Sequence, residues 1–502
     1  MGRKELFSVV LLTLMIVSGV VLYNTSINHS KQLIVDKKAP QEHPAFTQRE
    51  LAERLAGSLR IPTVSYEDRS TNISVFLQLH EYMESKFPRV YRELFVHKLG
   101  EENLSLLFEW PGVNHGTPND KPALFASHLD VVGVPEDTLD KWTVDPFAGI
   151  IDEEFIWGRG SIDDKQGVFA ILEATEWLLS LGHKPKNSIY LGFGHDEEIS
   201  GFKGAHFIAE WFKERSITIE YLVDEGMTLY RDFPIPIQEL ALIGLAEKGS
   251  VTVEISAHSK GGHASLSTKE TTVDIVSKAV AKISDNPMPV QFSAASPFHK
   301  ALEYMGPEFG NFALKAIFSN FWLFDPIIAR LATMDSLASV NVRTTAAATM
   351  ISGGIKSNVL PTKTTAIINH RIVPGDTVAS VVQHDIDVIN DPRVNVTIVK
   401  NEGLEPSPIS SEVSPAFKLL SQSIREVFPG TPVIPSLFVA NTDTRHYWDI
   451  AKDIYRFCPT KMTPSDLSRF HGIDERISIS NYFEFILFYF QLIQNHSDLG
   501  TS

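Results

Sequence analysis

Carboxylates and imidazoles recur in this sequence where apolar segments end. They are, in chain order, His128 with Asp130, Asp163 with Asp164, Glu197 with Glu198, Asp224 with Glu225, and His471. Adjacent carboxylates repel one another, and an isolated cluster such as "HDEE" is usually a solvated turn. Here the clusters follow successive predicted strands, so they are expected to converge. A divalent cation would relieve their repulsion, and imidazole with carboxylate suits zinc without cysteine.

The elements that must position these groups alternate between strand and helix. Strand-like segments "PALFASHLDVV", "SIYLGFGHDE" and "IEYLVDEG" are separated by helical segments such as "GVFAILEATEWLLSLG". The alternation predicts an α/β domain with a mostly parallel sheet, whose ligands bind beyond the carboxyl ends of the strands. His128 and Asp130 lie two residues apart on a strand, so they share a face and the carboxylate can orient the imidazole.

A different pattern follows Glu247. Residues 247–405 read as β-α-β-β-α-β, which predicts an inserted ferredoxin-like α+β domain. The helices of 406–495 are expected to complete the first domain, which begins at residue 46. A long insert at about 287–335 is rich in Phe and Trp and is predicted to be irregular. It is compatible with extra core, with a dimer contact, or with an apolar wall for a greasy substrate.

The N-terminal segment predicts entry into the secretory pathway. Arg3 and Lys4 precede an apolar run from Leu6 to Tyr23, so residues 1–23 are expected to be a signal peptide or a signal anchor. Residues 24–45 are polar and predict a linker. The product is then secreted, or a type II membrane protein with a lumenal catalytic domain. A glycoprotein is predicted by N-x-S/T sequons at Asn24, Asn28, Asn72, Asn103, Asn395 and Asn495.

Composition narrows the function classes. The chain has 502 residues, which favours at least two domains. Its net charge is −16 and no basic stripe is present, so nucleic acid is not an expected partner. Cys458 is the only cysteine, so an intrachain disulfide is impossible and a metal site must be built from His, Asp and Glu.

The ordered motifs "SHLDVV", "GRGSIDDKQG", "GHDEEISG", "VDEG" and "HG" resemble the co-catalytic zinc aminoacylase/carboxypeptidase superfamily. The resemblance covers about residues 46–495. "ALIGLAEKGS" and "NTDTRHY" are similar to segments of the branch that holds N-fatty-acyl-amino acid synthase/hydrolases and carboxypeptidase S. The resemblance to the superfamily implies a di-zinc catalytic domain at 46–246 and 406–495. The domain at 247–405 would be a lid or dimerisation domain, which allows a homodimer.

The resemblance also implies two Zn²⁺ ions per subunit and their ligands. Those ligands are the bridging Asp163, His128 and Asp224 on one ion, and Glu198 and His471 on the other. Asp130 resembles the carboxylate that orients His128. Asp164 and Glu225 are expected to be turn or helix-start residues rather than ligands.

Further residues resemble the family's catalytic and substrate-binding groups. Glu197 resembles the general base that takes a proton from zinc-bound water and passes it to the leaving amine. His263, in "SKGGHAS", resembles a lid histidine that reaches across a domain or dimer interface to stabilise the oxyanion. Asn358 and Arg445 are candidates for holding the substrate's carbonyl or carboxylate.

Together these residues predict an enzyme that acts on small molecules. The expected reaction is the reversible cleavage of the amide of N-(fatty) acyl amino acids, with the fatty acyl group implied by the resemblance alone. A zinc carboxypeptidase acting on short peptides is the alternative, because the same metals and base would serve it. A catalytically inactive binding module on the same scaffold is a third class, and the complete set of ligands and base argues against it.

Overall fold

The computed structural model of the protein describes residues 3–36, 39–40, 42–66, 68–232, 237–267 and 270–499. In this part of the chain the helices are α1 (Arg3–Ile27), α2 (Gln48–Leu59), α3 (Ile73–Lys86), α4 (Pro88–Glu93), α5 (Lys165–Ser180), α6 (Ala205–Glu214), α7 (Thr272–Asp285), α8 (Pro297–Met305), α9 (Phe312–Phe318), α10 (Phe321–Ala332), α11 (Ser336–Val342), α12 (Val378–Ile389), α13 (Pro415–Val427) and α14 (Ile479–His496).

The strands in the same part are β1 (Val64–Ser65), β2 (Phe95–Leu99), β3 (Ser105–Trp110), β4 (Ala123–His128), β5 (Val131–Val132), β6 (Ile150–Ile151), β7 (Phe155–Trp157), β8 (Ile189–Gly194), β9 (Ile219–Arg231), β10 (Glu239–Glu247), β11 (Gly249–His258), β12 (Gly262–His263), β13 (Thr345–Gly353), β14 (Val359–Leu360), β15 (Lys363–Ile372), β16 (Val394–Leu404), β17 (Val433–Phe438), β18 (Ala451–Met462) and β19 (Arg476–Ser478).

An eight-stranded sheet forms the centre of the first domain, in the order β17-β10-β18-β9-β4-β8-β3-β2. Its middle strands β18, β9, β4 and β8 are parallel, and β3 and β2 continue the sheet antiparallel. Every residue of β4 and β8 is buried, because helices cover both faces of the sheet. The predicted α/β class is therefore confirmed.

The inserted domain is a four-stranded antiparallel sheet in the order β13-β15-β11-β16. Helices α7 and α12 pack on it, and side chains such as Val253 and Ile368 form the core beneath them. The chain order β-α-β-β-α-β and this strand order are those of a ferredoxin-like sandwich, as the sequence predicts. The edge strand β13 is exposed along nearly its whole length.

The insert between α7 and β13 is helical, so the prediction of an irregular segment is wrong. Helices α8 to α11 occupy it, and α8 packs against β17 of the first domain, where Ala301 and Tyr304 join the large apolar core. Pro326 lies inside α10 and breaks one backbone hydrogen bond there. Proline and a high density of aromatic residues hide the helical period in the sequence.

Residues beyond the predicted N-terminal span differ from a free linker. Helix α1 continues to Ile27, and Gln32 then exchanges two hydrogen bonds with the backbone of Val433, at 2.7 and 3.1 Å. Residues 37, 38 and 41 of the predicted linker lie outside the described residues. The segment between α1 and α2 thus runs along the first domain in its described parts.

Four of the six predicted sequons divide into two classes, and the other two, Asn24 and Asn28, are half-buried. Asn72, Asn103 and Asn395 are exposed and are free to receive a glycan. Asn495 is 2% exposed, and its amide nitrogen donates to Ser423 Oγ at 3.0 Å. Because the amide nitrogen is the glycan attachment point, a glycan on Asn495 is incompatible with this packing, and the prediction of a glycoprotein rests on the other sequons.

Candidate metal centre

Two groups of metal-ligating side chains share the carboxylate of Asp163. His128, Asp163 and Glu225 form one, and Asp163, Glu198 and His471 form the other. Asp163 Oδ1 lies 3.0 Å from His128 Nε2, while Asp163 Oδ2 lies 3.0 Å from His471 Nε2. Glu225 Oε1 is 3.6 Å from His128 Nε2, and Glu198 Oε2 is 3.2 Å from His471 Nε2. One oxygen of Asp163 for each group is the arrangement of a bridging ligand.

The central sheet explains why these residues meet. His128 is the last residue of β4, and Glu198 follows β8 in a short 3₁₀ turn (Glu197–Ile199). Both strands are parallel neighbours, so their carboxyl ends lie at the same edge. Asp163 precedes α5, and His471 comes from the loop before β19. Sequence-distant residues thus converge at the edge where the alternating pattern predicts a site.

Asp130 connects the histidine to the acidic turn. Its Oδ1 lies 3.3 Å from His128 Nδ1, and its two carboxylate oxygens accept from the backbone N–H groups of Glu197 and Glu198, each at 3.1 Å. Ser65 Oγ also donates to Asp130, at 2.6 Å. Asp130 therefore fixes both the imidazole and the turn that carries the two glutamates. The hydrogen bonds from the backbone of the turn were not predicted, because a backbone N–H donor cannot be recognised from the type of residue that carries it.

The first ligand group contains the neighbour of Asp224 in place of Asp224 itself. Asp224 is in register with Arg456 of β18 and the next pair is Met227 with Phe457, so Glu225 and Gly226 bulge out of the ladder. Gly226 has φ 138°, and a side chain there would meet Arg456 Cβ at 2.7 Å. The structure brings Glu225, not Asp224, into the first group. The expectation that Glu225 is a turn residue is wrong, and a ligand role for Asp224 stays a prediction.

The donor set fits divalent cations. Glu198 Oε1 and Asp224 Oδ2 are buried and have no hydrogen-bond partner among the described residues. Burial, reinforced by the Asp163 charge, raises the pKa of Glu225 well above its ordinary value. Such carboxylates stay ionised in a buried cluster only if positive charge balances them. Imidazole and carboxylate oxygen are both suitable ligands for zinc and for related metals.

Glu197 lies beside the two groups without belonging to either. Burial raises its pKa well above the ordinary value, His128 opposes this, and the Asp443 and Glu198 carboxylates add to it. A carboxyl group with a raised pKa that is not used as a ligand is suited to accept and return a proton. Asp443, which is also buried, is a neighbour that the sequence reasoning missed.

A buried ion pair holds together the loops that carry Asp163 and His471. Arg159 donates to Glu475 Oε2 at 2.5 Å and to the backbone oxygen of Gly472 at 3.0 Å. The backbone N–H of Ile162 donates to the other oxygen of Glu475 at 2.9 Å. Both charged side chains are buried. The pair fixes the spacing of two ligands that lie about three hundred residues apart in the chain.

The two predicted lid residues lie next to each other in the inserted domain. His263 lies in β12, its ring is exposed, and Nδ1 hydrogen-bonds to Ser265 Oγ at 2.7 Å. The backbone oxygen of Asn358 accepts a hydrogen bond from the backbone N–H of Ala264 at 3.0 Å. No contact between either side chain and the metal-ligating groups occurs among the described residues. Their roles as oxyanion donor and carbonyl-binding group stay predictions.

Arg445 has a cationic neighbour that sequence reasoning left out of the site. Arg445 lies in the 3₁₀ turn Asp443–His446 of the first domain. Arg371, in β15 of the inserted domain, donates to Asn441 Oδ1 at 3.0 Å. Burial, together with the charge of Arg445, lowers the pKa of Arg371. Arg371 of the inserted domain thus lies within reach of the charge of Arg445 and is hydrogen-bonded to a residue that precedes the turn carrying Arg445.

Known proteins share this chain's sequence and fold. Residues 124–495 match the peptidase family M20/M25/M40. The chain is 40% identical over 475 residues to the probable carboxypeptidase S-like 2 of Dictyostelium discoideum, covering 93% of this chain and 89% of the relative. It is 37% identical over 449 residues to the N-fatty-acyl-amino acid synthase/hydrolase PM20D1 of Xenopus tropicalis, covering 89% and 86%.

A solved structure shows the same fold at low identity. The M20 family metallo-carboxypeptidase Sso-CP2 from Sulfolobus solfataricus matches with a TM-score of 0.63 and 17% identity, over 90% of this chain and 100% of that one. At this identity the match concerns the fold alone.

Proposed function

The chain belongs to the peptidase family M20/M25/M40, and from this premise we propose that it is a di-zinc amidohydrolase that cleaves and forms the amide of N-fatty-acyl amino acids. The sequence resemblance to the zinc aminoacylase/carboxypeptidase superfamily is confirmed by this membership. The observation that carries the proposal is the pair of ligand groups joined by Asp163. The relative named for N-fatty-acyl-amino acid synthase and hydrolase activity supports the substrate class.

The family is metal-dependent, and the residues at the cluster fit two ions. Asp163 would bridge them, with His128 and Glu225 on one side and Glu198 and His471 on the other. Zinc, when bound, supplies Lewis acidity at the scissile carbonyl and lowers the pKa of a water molecule toward neutrality. Asp130 supports the ligand set without being a ligand, because it fixes the orientation of the His128 ring.

Proton transfer falls to Glu197. In the hydrolytic direction its carboxylate accepts a proton from the attacking water, whose oxygen forms the new bond to the acyl carbon. The same carboxyl group then returns the proton to the leaving nitrogen, so that the products are a fatty acid and an amino acid. Run backward, the same steps release water and form the amide, so the direction depends on concentrations.

The substrate's carboxylate is expected at the two guanidinium groups. Arg445 is the predicted substrate-binding residue, and the closeness of Arg371 supports that role, because bidentate guanidinium groups recognise carboxylates. His263 and Asn358 would complete the site from a lid, as oxyanion donor and carbonyl-binding group.

A carboxypeptidase acting on short peptides is the second candidate. The relative from Dictyostelium discoideum, which is 40% identical, is named a probable carboxypeptidase S-like protein. The alignment with it covers 93% of this chain. The metal ligands and the base would be the same for both substrates. The two functions therefore differ in the acyl side of the amide rather than in the chemistry.

A substrate comparison tests the proposal. Zinc-loaded protein is assayed with N-oleoyl amino acids and with a Gly-Leu type dipeptide, and synthesis is followed from oleate plus amino acid. We expect turnover of the oleoyl amide in both directions and loss of it when a chelator removes the metal. Faster turnover of the dipeptide would favour the carboxypeptidase, and turnover that survives complete metal removal would contradict both candidates.

We also propose that the chain enters the secretory pathway through α1 and carries glycans at Asn72, Asn103 and Asn395. The apolar helix and the exposure of these three side chains support this. Replacing Asn by Gln in any one of these three sequons should increase the gel mobility of the glycosylated protein by the equivalent of one glycan. Asn495→Gln should leave the mobility unchanged. A protein with the same mobility before and after glycosidase treatment would contradict the proposal.

A further inference from the structure

The helical insert presents apolar side chains outward. Leu323, Ile327 and Leu331 recur at every fourth position of α10, and all three are exposed. Ile328 and Ala332, which lie on a different side of the helix, are buried. A helix at a protein surface normally shows the reverse pattern, with polar side chains toward water.

Further exposed apolar side chains lie beyond α10, on α9, on α11 and between α10 and α11. We call the whole set the apolar face, and it consists of Phe312, Trp322, Leu323, Ile327, Leu331, Met334 and Leu337. Other aromatic side chains of the insert pack inward, since Phe318 contacts Phe309 and Phe321 contacts His299. The insert therefore has a small core of its own and does not need the apolar face for folding. Exposed apolar surfaces of this kind mark contacts with other molecules or with membranes.

Helix α1 is fastened to the insert beside this face. Asn24 Nδ2 donates to Asn320 Oδ1 at 2.9 Å, and Asn28 Nδ2 donates to Ser319 Oγ at 2.8 Å. Asn320 Nδ2 also donates to Thr25 Oγ1 at 3.4 Å, and both of these side chains are buried. The end of α1 is thus joined by buried polar contacts to the turn between α9 and α10.

The same helix is the candidate membrane span among the described residues. Helix α1 has 25 residues, its most apolar 18-residue window has a mean hydropathy of 2.5, and none of that window is buried. A helix of that length reaches about 37 Å, enough to cross the roughly 30 Å hydrocarbon layer. Helices α9 and α10 are together apolar enough to count as a broken span, but they meet at 101° and α10 has only 12 residues. α10 is too short to span a bilayer and is suited to lie along its surface.

We propose that the apolar face docks on a phospholipid bilayer, with α1 crossing the bilayer and α10 lying in the interface. The contacts of Asn24 and Asn28 hold the insert where the apolar run of α1 ends, which is the level of the lipid headgroups. Trp322 there has an exposed ring and an indole N–H that donates to Asn320 Oδ1 at 3.2 Å. Tryptophan is enriched at this depth. The exposed Arg330 on α10 can meet lipid phosphate.

This inference is independent of the proposed activity and is tested on the full chain in phosphatidylcholine vesicles. Cysteine is introduced as Ile327→Cys or Leu331→Cys and labelled with a small fluorescent maleimide. Cys458 does not compete, because it is buried and its pKa is raised to about 12 by burial. Matched controls are Val113→Cys in the first domain and Ile355→Cys in the lid, both strongly exposed apolar positions. Lipids carrying a nitroxide on the acyl chain serve as quenchers.

We expect the lipid quenchers to reduce fluorescence at least about twofold more at positions 327 and 331 than at 113 and 355, since interfacial side chains reach the acyl boundary. The controls share α1, so anchoring alone cannot produce that difference. Equal quenching at all four positions would overturn the proposal. So would protection of positions 327 and 331 that depends on protein concentration and not on lipid, because a second copy would then cover the apolar face.

Discussion

Glu197 is the residue whose loss should separate turnover from metal binding. Its backbone is held by Asp130, and its side chain lies outside both ligand groups. Glu197→Gln keeps the shape but removes the proton acceptor, so kcat should fall about 10²–10⁴-fold with metal content unchanged. Metal analysis and steady-state kinetics on the same preparation check this. Near-normal activity in the variant would show that another group moves the proton.

Replacing each of two neighbouring carboxylates on β9 should have a different effect on the number of metal ions bound. Glu225 faces His128 and Asp163, whereas Asp224 lies outside both groups with one unpartnered oxygen. We expect Glu225→Gln to lower zinc stoichiometry toward one ion per chain and Asp224→Asn to leave two ions bound. Equilibrium dialysis followed by metal analysis measures both. The reversed result would restore the ligand assignment made from the sequence motif.

His471 should make metal binding depend on pH. Hydrogen bonds to Asp163 and Glu198 raise its pKa to about 10 in the metal-free protein, so the imidazole is protonated at neutral pH. A metal ligand must be unprotonated, and binding therefore expels this proton. Affinity should rise with pH below about 10, by up to tenfold per pH unit for each proton released. Competition with a chelator at several pH values measures this, and an affinity that does not change with pH would contradict it.

At the residue scale, motif spacing identified His128, Asp130, Asp163, Glu198 and His471 as members of one site. The structure brings these five together. The sequence resemblance assigned Asp224 and passed over Glu225, because strand alternation assumes a regular ladder and the bulge in β9 breaks it. The closeness of Arg371 to Arg445 depends on how two domains meet, which no local pattern encodes.

Among the elements, the loops before α5 and before β19 depend on the Arg159–Glu475 ion pair. Burial raises the pKa of Glu475 to about 7, and the guanidinium of Arg159 opposes this. Arg159→Met leaves a buried carboxylate without its partner, which should cost about 3–5 kcal/mol of unfolding free energy. Without Arg159 the folded-state pKa of Glu475 rises further above its unfolded value. The carboxyl group is protonated in both folded proteins near pH 5, so the loss of stability should be larger near pH 8 than near pH 5.

Denaturant unfolding of the metal-free protein measures this loss. The matched control is Arg231→Met, which breaks an ion pair with Glu239 where the arginine is half exposed. That pair should contribute no more than about 1 kcal/mol. Equal losses in the two variants, or a loss at Arg159 without pH dependence, would mean that the buried pair does not hold the loops.

Elements of both domains were predictable wherever the hydrophobic period was regular. The strands "ALFASH" and "IYLGFG" are uniformly apolar because both faces of the sheet are covered. The insert failed this test, since Pro326 and dense aromatic residues obscure a helical stripe that itself faces outward. An outward apolar stripe contradicts the usual assignment of apolar side chains to the core, and so no core partner could be named.

On the scale of the whole molecule, the inserted domain ends at a strand that, among the described residues, has a neighbour on one side only. Its edge strand β13 is exposed, and the outward side chains include Met350 and Ile351. An unpaired apolar edge is a template for pairing with another strand. We therefore expect two copies to associate through their lids, and the sequence resemblance implies that His263 of one copy then serves the metal centre of the other.

Mixing two inactive variants tests whether His263 acts between copies. His263→Ala lacks the lid histidine and Glu197→Gln lacks the base. In a mixed dimer, one of the two sites receives Glu197 from one copy and His263 from the other. Random exchange of subunits should then restore about one quarter of the wild-type sites. Activity of the mixture after brief subunit dissociation measures this. The double variant His263→Ala/Glu197→Gln, mixed with either single variant, is the control and should stay inactive. If the mixture also stays inactive while light scattering shows mixed dimers, His263 serves its own chain and the lid must close on it.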